Sequence, residues 1–398
     1  MNNQNAQSTI IYFDNAATTR VSDSAIQKAV DLMKYNFGNP SSAHSIGLFA
    51  EKEVSLARKR IITALGFEQS DGDLFFTSGG TEANNLALIG TAQARKRLGN
   101  RIIVPDSEHA SVYNISNHLA NEGFDVVFVS TKNGKLDLNE IEKAANENCI
   151  LISCMLVNNE TGAIYDIAAI DRIRKQKCPQ AYIHTDAVQA FCKEKVSFKA
   201  LGSDLVTVSG HKIHAPMGVG ALYVKKGVRI KPILFGGGQE KNLRPGTESV
   251  PSICAFGLCA EQQFINIDKN NKNAWELYNY LENEIKRNCP EIKINKPQHH
   301  SPYIASLVVP NIRSEIVLRH LSDKGIFVSA GSACSSKSAE NRVLAAYGLS
   351  HNNADSTIRI SFCDENTKEE IDMLVKGLNE GLKKLVPAKF FKKEGDLL

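Results

Sequence analysis

Leu205-Val206-Thr207-Val208, followed at once by Ser209-Gly210-His211-Lys212, sets the architecture that the rest of the chain must match. The first four residues are an apolar, β-branched run. The next four place a hydroxyl, a glycine, an imidazole and an amine where such a strand ends. Upstream, similar runs recur at Arg101 to Val104, Val126 to Val129, Ile150 to Val157 and Tyr182 to His184, alternating with helical stretches or loops. Strands that alternate with helices predict a largely parallel sheet covered on both faces, with ligands gathered at the carboxyl ends of its strands. Earlier still, Ala50, Val54, Ala57, Ile61 and Leu65 step by three or four within residues 47–65 and Gly66 follows. That spacing predicts an amphipathic helix with its stop signal.

Downstream of about residue 262 the texture changes. A polar helix around Trp275 to Lys286 leads to strands at Ser306 to Val309 and Ile326 to Ser329, around a helix over 314–323 that ends near Gly325. Thr357 to Phe362 adds a strand. Thr367 with Glu370 fits a capping box, and Ile371, Leu374, Val375, Leu378 and Leu382 mark the buried stripe of a closing helix. This second set of elements predicts a separate lobe. The tail from Lys383 to Lys393 carries five lysines, which fits a solvated tail or a docking patch.

At 398 residues the chain is long enough for two or three domains. Its 42% hydrophobic and 23% charged residues match ordinary globular usage and exclude a disordered class. A net charge of +4 is too small to argue for nucleic acid or an anionic membrane surface. No run approaches the ~18 to 20 apolar residues that cross a bilayer, and the start lacks the marks of a signal peptide. A cytoplasmic protein is expected, and nine irregularly spaced cysteines suit such a reducing compartment. His211 with His214 and His299 with His300 lack partners at zinc-finger spacing, so no metal site is expected.

Four segments that should end at the carboxyl edge of the sheet hold polar residues whose types fit one cofactor. A partly desolvated Lys212 has the chemistry to form an imine with an aldehyde. Alone, it reads as a surface lysine. Asp186 closes Tyr182-Ile183-His184-Thr185-Asp186 and can keep a pyridine nitrogen protonated, as pyridoxal phosphate requires; a helix N-cap is its other reading. Ser78-Gly79-Gly80-Thr81 follows the strand Leu74 to Thr77 and precedes a helical face of Ala83, Leu86, Ala87 and Gly90. Glycines ahead of a helix suit a phosphate, although an empty turn fits too. No dinucleotide or P-loop pattern is complete. Cys334 lies in Ser329-Ala330-Gly331-Ser332-Ala333-Cys334-Ser335-Ser336-Lys337-Ser338, a loop-like setting for either a reactive or a harmless thiol. Cys154, Cys254 and Cys259 lie in apolar runs and read as packing.

Tyr12-Phe13-Asp14-Asn15-Ala16-Ala17-Thr18-Thr19, Phe37-Gly38-Asn39-Pro40-Ser41-Ser42, Thr77-Ser78-Gly79-Gly80-Thr81-Glu82, Val157-Asn158-Asn159-Glu160-Thr161-Gly162 and Ser209-Gly210-His211-Lys212 together carry a resemblance. With Arg244-Pro245-Gly246-Thr247 and Gly331-Ser332-Ala333-Cys334, the ordered set resembles cysteine desulfurases of the NifS/IscS type, from about residue 10 to about 385. The resemblance implies an α/β, PLP-dependent transferase of the aspartate aminotransferase-like fold. It places a large, mainly parallel-sheet PLP-binding domain at 16–262. A smaller α+β domain, from 1–15 and 263–398, carries the catalytic cysteine loop. Its cofactor would be pyridoxal 5'-phosphate and its substrate L-cysteine, converted to L-alanine with sulfur held on Cys334 as persulfide.

By the same resemblance, Lys212 would hold the cofactor and later move the substrate proton, while Asp186 would pair with the pyridinium. His109 would stack on the ring and assist proton transfer, with Gln189 and Asn159 near the phenolic oxygen. Gly80, Thr81, Ser209 and His211 would hold the phosphate, completed by Thr247 of a neighbouring subunit, which implies a homodimer. Arg359 would fork onto the substrate carboxylate, near Asn159; a structural ion pair is the other reading of a strand arginine. A protein sulfur acceptor, in iron–sulfur cluster assembly or tRNA thiolation, is the implied partner. Gly80 replaces the family's usual alanine, and Ile213-His214-Ala215-Pro216-Met217-Gly218 departs from its common run. The stretch from Ser335 to Leu344 is about a residue short and the tail past Leu385 is short and lysine-rich, both in regions that serve acceptor docking. A selenocysteine lyase, another class V aminotransferase or lyase, and an idle scaffold are the competing readings.

Overall fold

The computed structural model describes residues 10–330 and 341–385. In chain order the strands are β1 (Ile11–Tyr12), β2 (Gly72–Thr77), β3 (Arg101–Pro105), β4 (Asp125–Val129), β5 (Cys149–Ser153) and β6 (Tyr182–Asp186). They continue with β7 (Leu205–Ser209), β8 (Gly220–Lys225), β9 (Lys293–Asn295), β10 (Ile304–Val308), β11 (Ile326–Phe327) and β12 (Thr357–Ser361). Seven of them form one sheet in the order β2-β8-β7-β6-β5-β3-β4, in which β8 alone runs against the others.

Alternation along each strand explains how both faces are covered, because successive side chains point to opposite sides. Val206 and Val208 join one apolar cluster, with Ile103, Ile152 and Ile183 and with helices Ser45–Ala64 and Val250–Ile265. Leu205 joins the opposite cluster, with Ile102, Val104 and Leu151 and with helices Gly80–Arg95 and Ala110–Asn121. The expected helix over 47–65 thus occupies Ser45–Ala64, and Gly66 takes the left-handed conformation (φ +81°) that ends it. The expected strand Ile150 to Val157 is shorter, ending at Ser153. Beyond it the Met155 amide donates to buried Glu108 Oε1 instead of a neighbouring strand.

A third cluster joins Ile11 and Phe13 to residues between Leu277 and Leu382. There β12, β10 and β9 form an antiparallel sheet, and β1 pairs in parallel with β11. The capping box forms reciprocally: the Thr367 amide donates to Glu370 Oε2 (3.0 Å) and the Glu370 amide to Thr367 Oγ1 (3.3 Å). The stripe Ile371, Leu374, Val375, Leu378 and Leu382 of helix Lys368–Leu385 is buried. Among the described residues no helix is long and apolar enough to cross a membrane.

Candidate active site

Strands β2, β3, β5, β6 and β7 all end at one edge of the large sheet, so the loops that follow them meet there. Lys212 closes the turn Gly210–Lys212 that leaves β7. Its Nζ donates to the carbonyls of Ala16 and Ala17, each at 2.6 Å. Gln189 Nε2 donates to the same Ala16 carbonyl at 2.9 Å, which brings Gln189 beside Lys212. Burial, reinforced by the charges of Lys193 and Arg359, pulls the Lys212 amine down to about 7. Its neutral, nucleophilic form is therefore abundant near neutral pH.

Asp186 ends β6 and is buried. One carboxylate oxygen accepts the Val188 amide (3.0 Å), the local capping contact open to it in the sequence; the other accepts Asn84 Nδ2 (2.8 Å). Asn84 also donates to Ser111 Oγ (2.8 Å), and that hydroxyl lies 2.8 Å from His109 Nδ1. Asp186 and His109 are thus joined through Asn84 and Ser111, two residues that sequence reasoning missed. Asn84 lies one helical turn beyond Gly80 and shares its face, which was the available signal. His109 caps helix Ala110–Asn121, with Nδ1 accepting the Ser111 amide. Surrounding protein desolvates its ring and lowers its pKa, which the Asp186 charge partly opposes.

Beside these groups, Ser209 Oγ, Gln189 Oε1 and Asn159 Oδ1 are buried without a hydrogen-bond partner among the described residues. Leaving such an atom unsatisfied costs about 1–3 kcal/mol, so a polar ligand is the economical reason for three together. Helix Gly80–Arg95 begins next to Ser209, and its first amides are the natural seat of a phosphate. A Cβ on Gly80 would lie 2.9 Å from Val188 Cγ2 and 3.7 Å from Ser209 Cβ, so alanine there requires Val188 to move. The set fits pyridoxal phosphate: an amine for the aldehyde, a carboxylate for the ring nitrogen, an imidazole for the ring face and a helix start for the phosphate.

His211 sits beside this set, with Nδ1 3.3 Å from Thr18 Oγ1; burial and the Lys212 charge push it down to about 4. Arg359, in β12, is buried and donates to Asp14 Oδ1 and to the Asn159 carbonyl, both at 2.8 Å. Thr81 is exposed at the helix start. Thr247 is exposed too, and among the described residues no hydrogen bond ties it to Lys212 or Ser209. Its segment is fixed nearby by the Arg244–Glu82 ion pair at 2.7 Å. Cys334 lies outside the described residues. His214, Cys363 and Asp364 bring their donor atoms within 4.8 Å of one another, with His214 Nε2 3.2 Å from Asp364 Oδ1.

The aminotransferase class-V family model matches residues 11–374. The chain belongs to the class-V aminotransferase family. It is 37% identical over 386 residues to the cysteine desulfurase IscS of Methanosarcina thermophila, spanning 96% of this chain and 94% of that relative. A NifS-like protein of known structure superposes with a TM-score of 0.88 at 35% identity, over 94% of this chain and 100% of the other. SspA, solved in complex with cysteine, superposes at 0.77 with 31% identity, over 90% of this chain and 100% of its own. This class-V enzyme takes pyridoxal 5'-phosphate as its cofactor.

Proposed function

We propose that the enzyme is a cysteine desulfurase that converts L-cysteine to L-alanine and passes the sulfur to its own Cys334. The observation that carries this reading is the convergence of Lys212, Gln189, Asp186 and His109 at one sheet edge, wired through the Ala16 carbonyl, Asn84 and Ser111. The relatives named for this reaction, and the one solved with cysteine, support the same substrate. Seven of the eight described cysteines are buried, and none of the eight is in a disulfide.

Bound pyridoxal phosphate supplies an electron sink for the substrate's α-carbon. Lys212 would hold the cofactor through its amine and would take the proton from that carbon. Asp186 holds a proton at the pyridine nitrogen. Gly80, Thr81, Ser209 and His211 would hold the phosphate, and Gln189 and Asn159 would bond near the phenolic oxygen. His109 covers the ring face and moves a proton at the substrate. Arg359 exchanges its Asp14 partner for the substrate carboxylate, for which its planar fork is suited. The Cys334 thiolate attacks the substrate sulfur as the carbon–sulfur bond breaks, and the carbon takes up a proton. Cysteine plus thiol therefore balances as alanine plus persulfide, without an external oxidant.

The same reading makes the working unit a homodimer in which Thr247 completes the partner's phosphate site. Exposed Phe37, Met217 and Phe235 support an apolar contact of this kind. Pro40 and Ser41 share one cleft with Gly238, Gln239 and Glu248, so the segments that follow Phe37 and Phe235 lie together. We also assign 16–262 to a large cofactor domain, and 1–15 with 263–398 to a smaller one. A cytoplasmic setting, with a protein acceptor for iron–sulfur assembly or tRNA thiolation, completes the proposal. Lys212→Ala tests the cofactor step: the visible absorption of the loaded enzyme and its turnover should both vanish. A visible band and turnover equal to wild type would overturn it.

A further inference from the structure

Arg342 opens the helix Arg342–Tyr347, more than 230 residues from the turn it grips. Its Nη1 donates to the Asp106 carbonyl and its Nη2 to the Glu108 carbonyl. Between these two, the Ser107 carbonyl accepts Asn158 Nδ2 at 3.1 Å. Three consecutive carbonyls ahead of His109 are thus held by side chains from other segments. The guanidinium also stacks 3.8 Å from the centre of the Tyr113 ring. Tyr113 lies one turn into the helix that His109 caps, with its amide on the His109 carbonyl at 3.0 Å. A single planar fork therefore fixes the chain on both sides of His109, a geometry that a lysine ammonium does not reproduce.

We propose that Arg342 is a positioning residue for His109, acting through the 106–108 turn and the Tyr113 ring. This rests on the reading of His109 as a proton-moving group given above. Near-attack geometry is unforgiving: a displacement of about 1 Å can cost about a hundredfold in rate. Arg342 also acts on His109 by charge. Of the charged groups that act on the imidazole, Asp186 favours its protonated form, while Lys212, Arg342 and Arg359 oppose it.

Two variants separate position from charge in the cofactor-loaded protein. Arg342→Gln removes both, whereas Arg342→Lys keeps the charge and loses the fork. His109 is followed by histidine-labelled NMR titration without substrate, and kcat and KM with L-cysteine are measured beside it. Arg342→Gln should move the His109 titration to higher pH, while Arg342→Lys should leave it near wild type. Both should lower kcat roughly tenfold to a hundredfold with KM little changed. An unmoved His109 titration in Arg342→Gln, or wild-type kcat in both variants, would overturn the proposal. If Arg342→Gln does not fold, the kcat of Arg342→Lys decides. Failure of the wild type to turn over L-cysteine would refute the desulfurase reading instead, and the titration would still decide the role of Arg342.

Discussion

Asn84 is the residue on which the charge at the centre of the site most depends. Its amide is donated to both Asp186 and Ser111, and its own Oδ1 is buried without a partner among the described residues. Asn84→Ala removes a hydrogen bond to a charged group, worth about 1.5–3 kcal/mol. Cofactor affinity, measured by titrating the apoprotein with pyridoxal phosphate, should fall roughly tenfold to a hundredfold. Unchanged affinity would show that Asp186 needs no such support. Lys212 and Asp186 were legible in the sequence because each stands at the exit of an apolar strand, where an open α/β sheet binds its ligands. Asn84 offered only its place on the helix face of Gly80, and Asp14 and Arg342 offered no such signal, since the partners of the three lie 102, 345 and 236 residues away. Only the folded sheet brings such pairs together. Of the two sequence readings of Arg359, the structure shows the ion pair, with Asp14 as its partner; the substrate fork is part of the proposal above.

Strand β6 carries a second consequence at the scale of the element. His184 is fully buried in its middle, with Ser153 Oγ 2.8 Å from Nδ1 and Thr207 Oγ1 3.0 Å from Nε2, one partner from each adjacent strand. Burial pushes the imidazole down to about 3 from its ordinary 6.5, so the folded protein keeps it neutral. Below about 6.5 the unfolded chain binds a proton that the folded strand does not, and stability falls with pH until the folded value is reached. The slope is up to about 1.4 kcal/mol per pH unit from this residue. Buried Glu108, whose carboxyl is raised by burial and by Asp186, contributes the opposite slope. Comparison of urea midpoints between pH 7 and 5 should therefore show a steeper loss in wild type than in His184→Gln; parallel profiles would contradict it. The core strands β3 to β7 and the closing helix were readable from β-branched runs and a 3.6-residue stripe. Strand order was not, nor was the reversal of β8, because pairing depends on crossovers that leave no local periodicity.

For the whole molecule, the exposed Phe235, at 88% of its free surface, and Phe37, at 72%, are the features that a single chain does not explain. Burying such a ring contributes about 1.5–3 kcal/mol, so an aspartate in its place should weaken association sharply. If the proposed dimer forms as described, Phe235→Asp should sediment as a monomer beside a dimeric wild type and bind pyridoxal phosphate more weakly, having lost the partner's threonine. A dimeric variant of unchanged cofactor affinity would count against that contact. The tie between sequence and chemistry at this scale came from ordered motifs spread over the chain, since no single one of them specifies the reaction. The most direct test is anaerobic turnover of L-cysteine by the loaded wild type and by Cys334→Ser, with alanine and protein-bound persulfide measured together. Wild type should yield both products and the variant almost no persulfide, although it still binds cofactor and cysteine. Full persulfide formation by Cys334→Ser, or no alanine from wild type, would contradict the account.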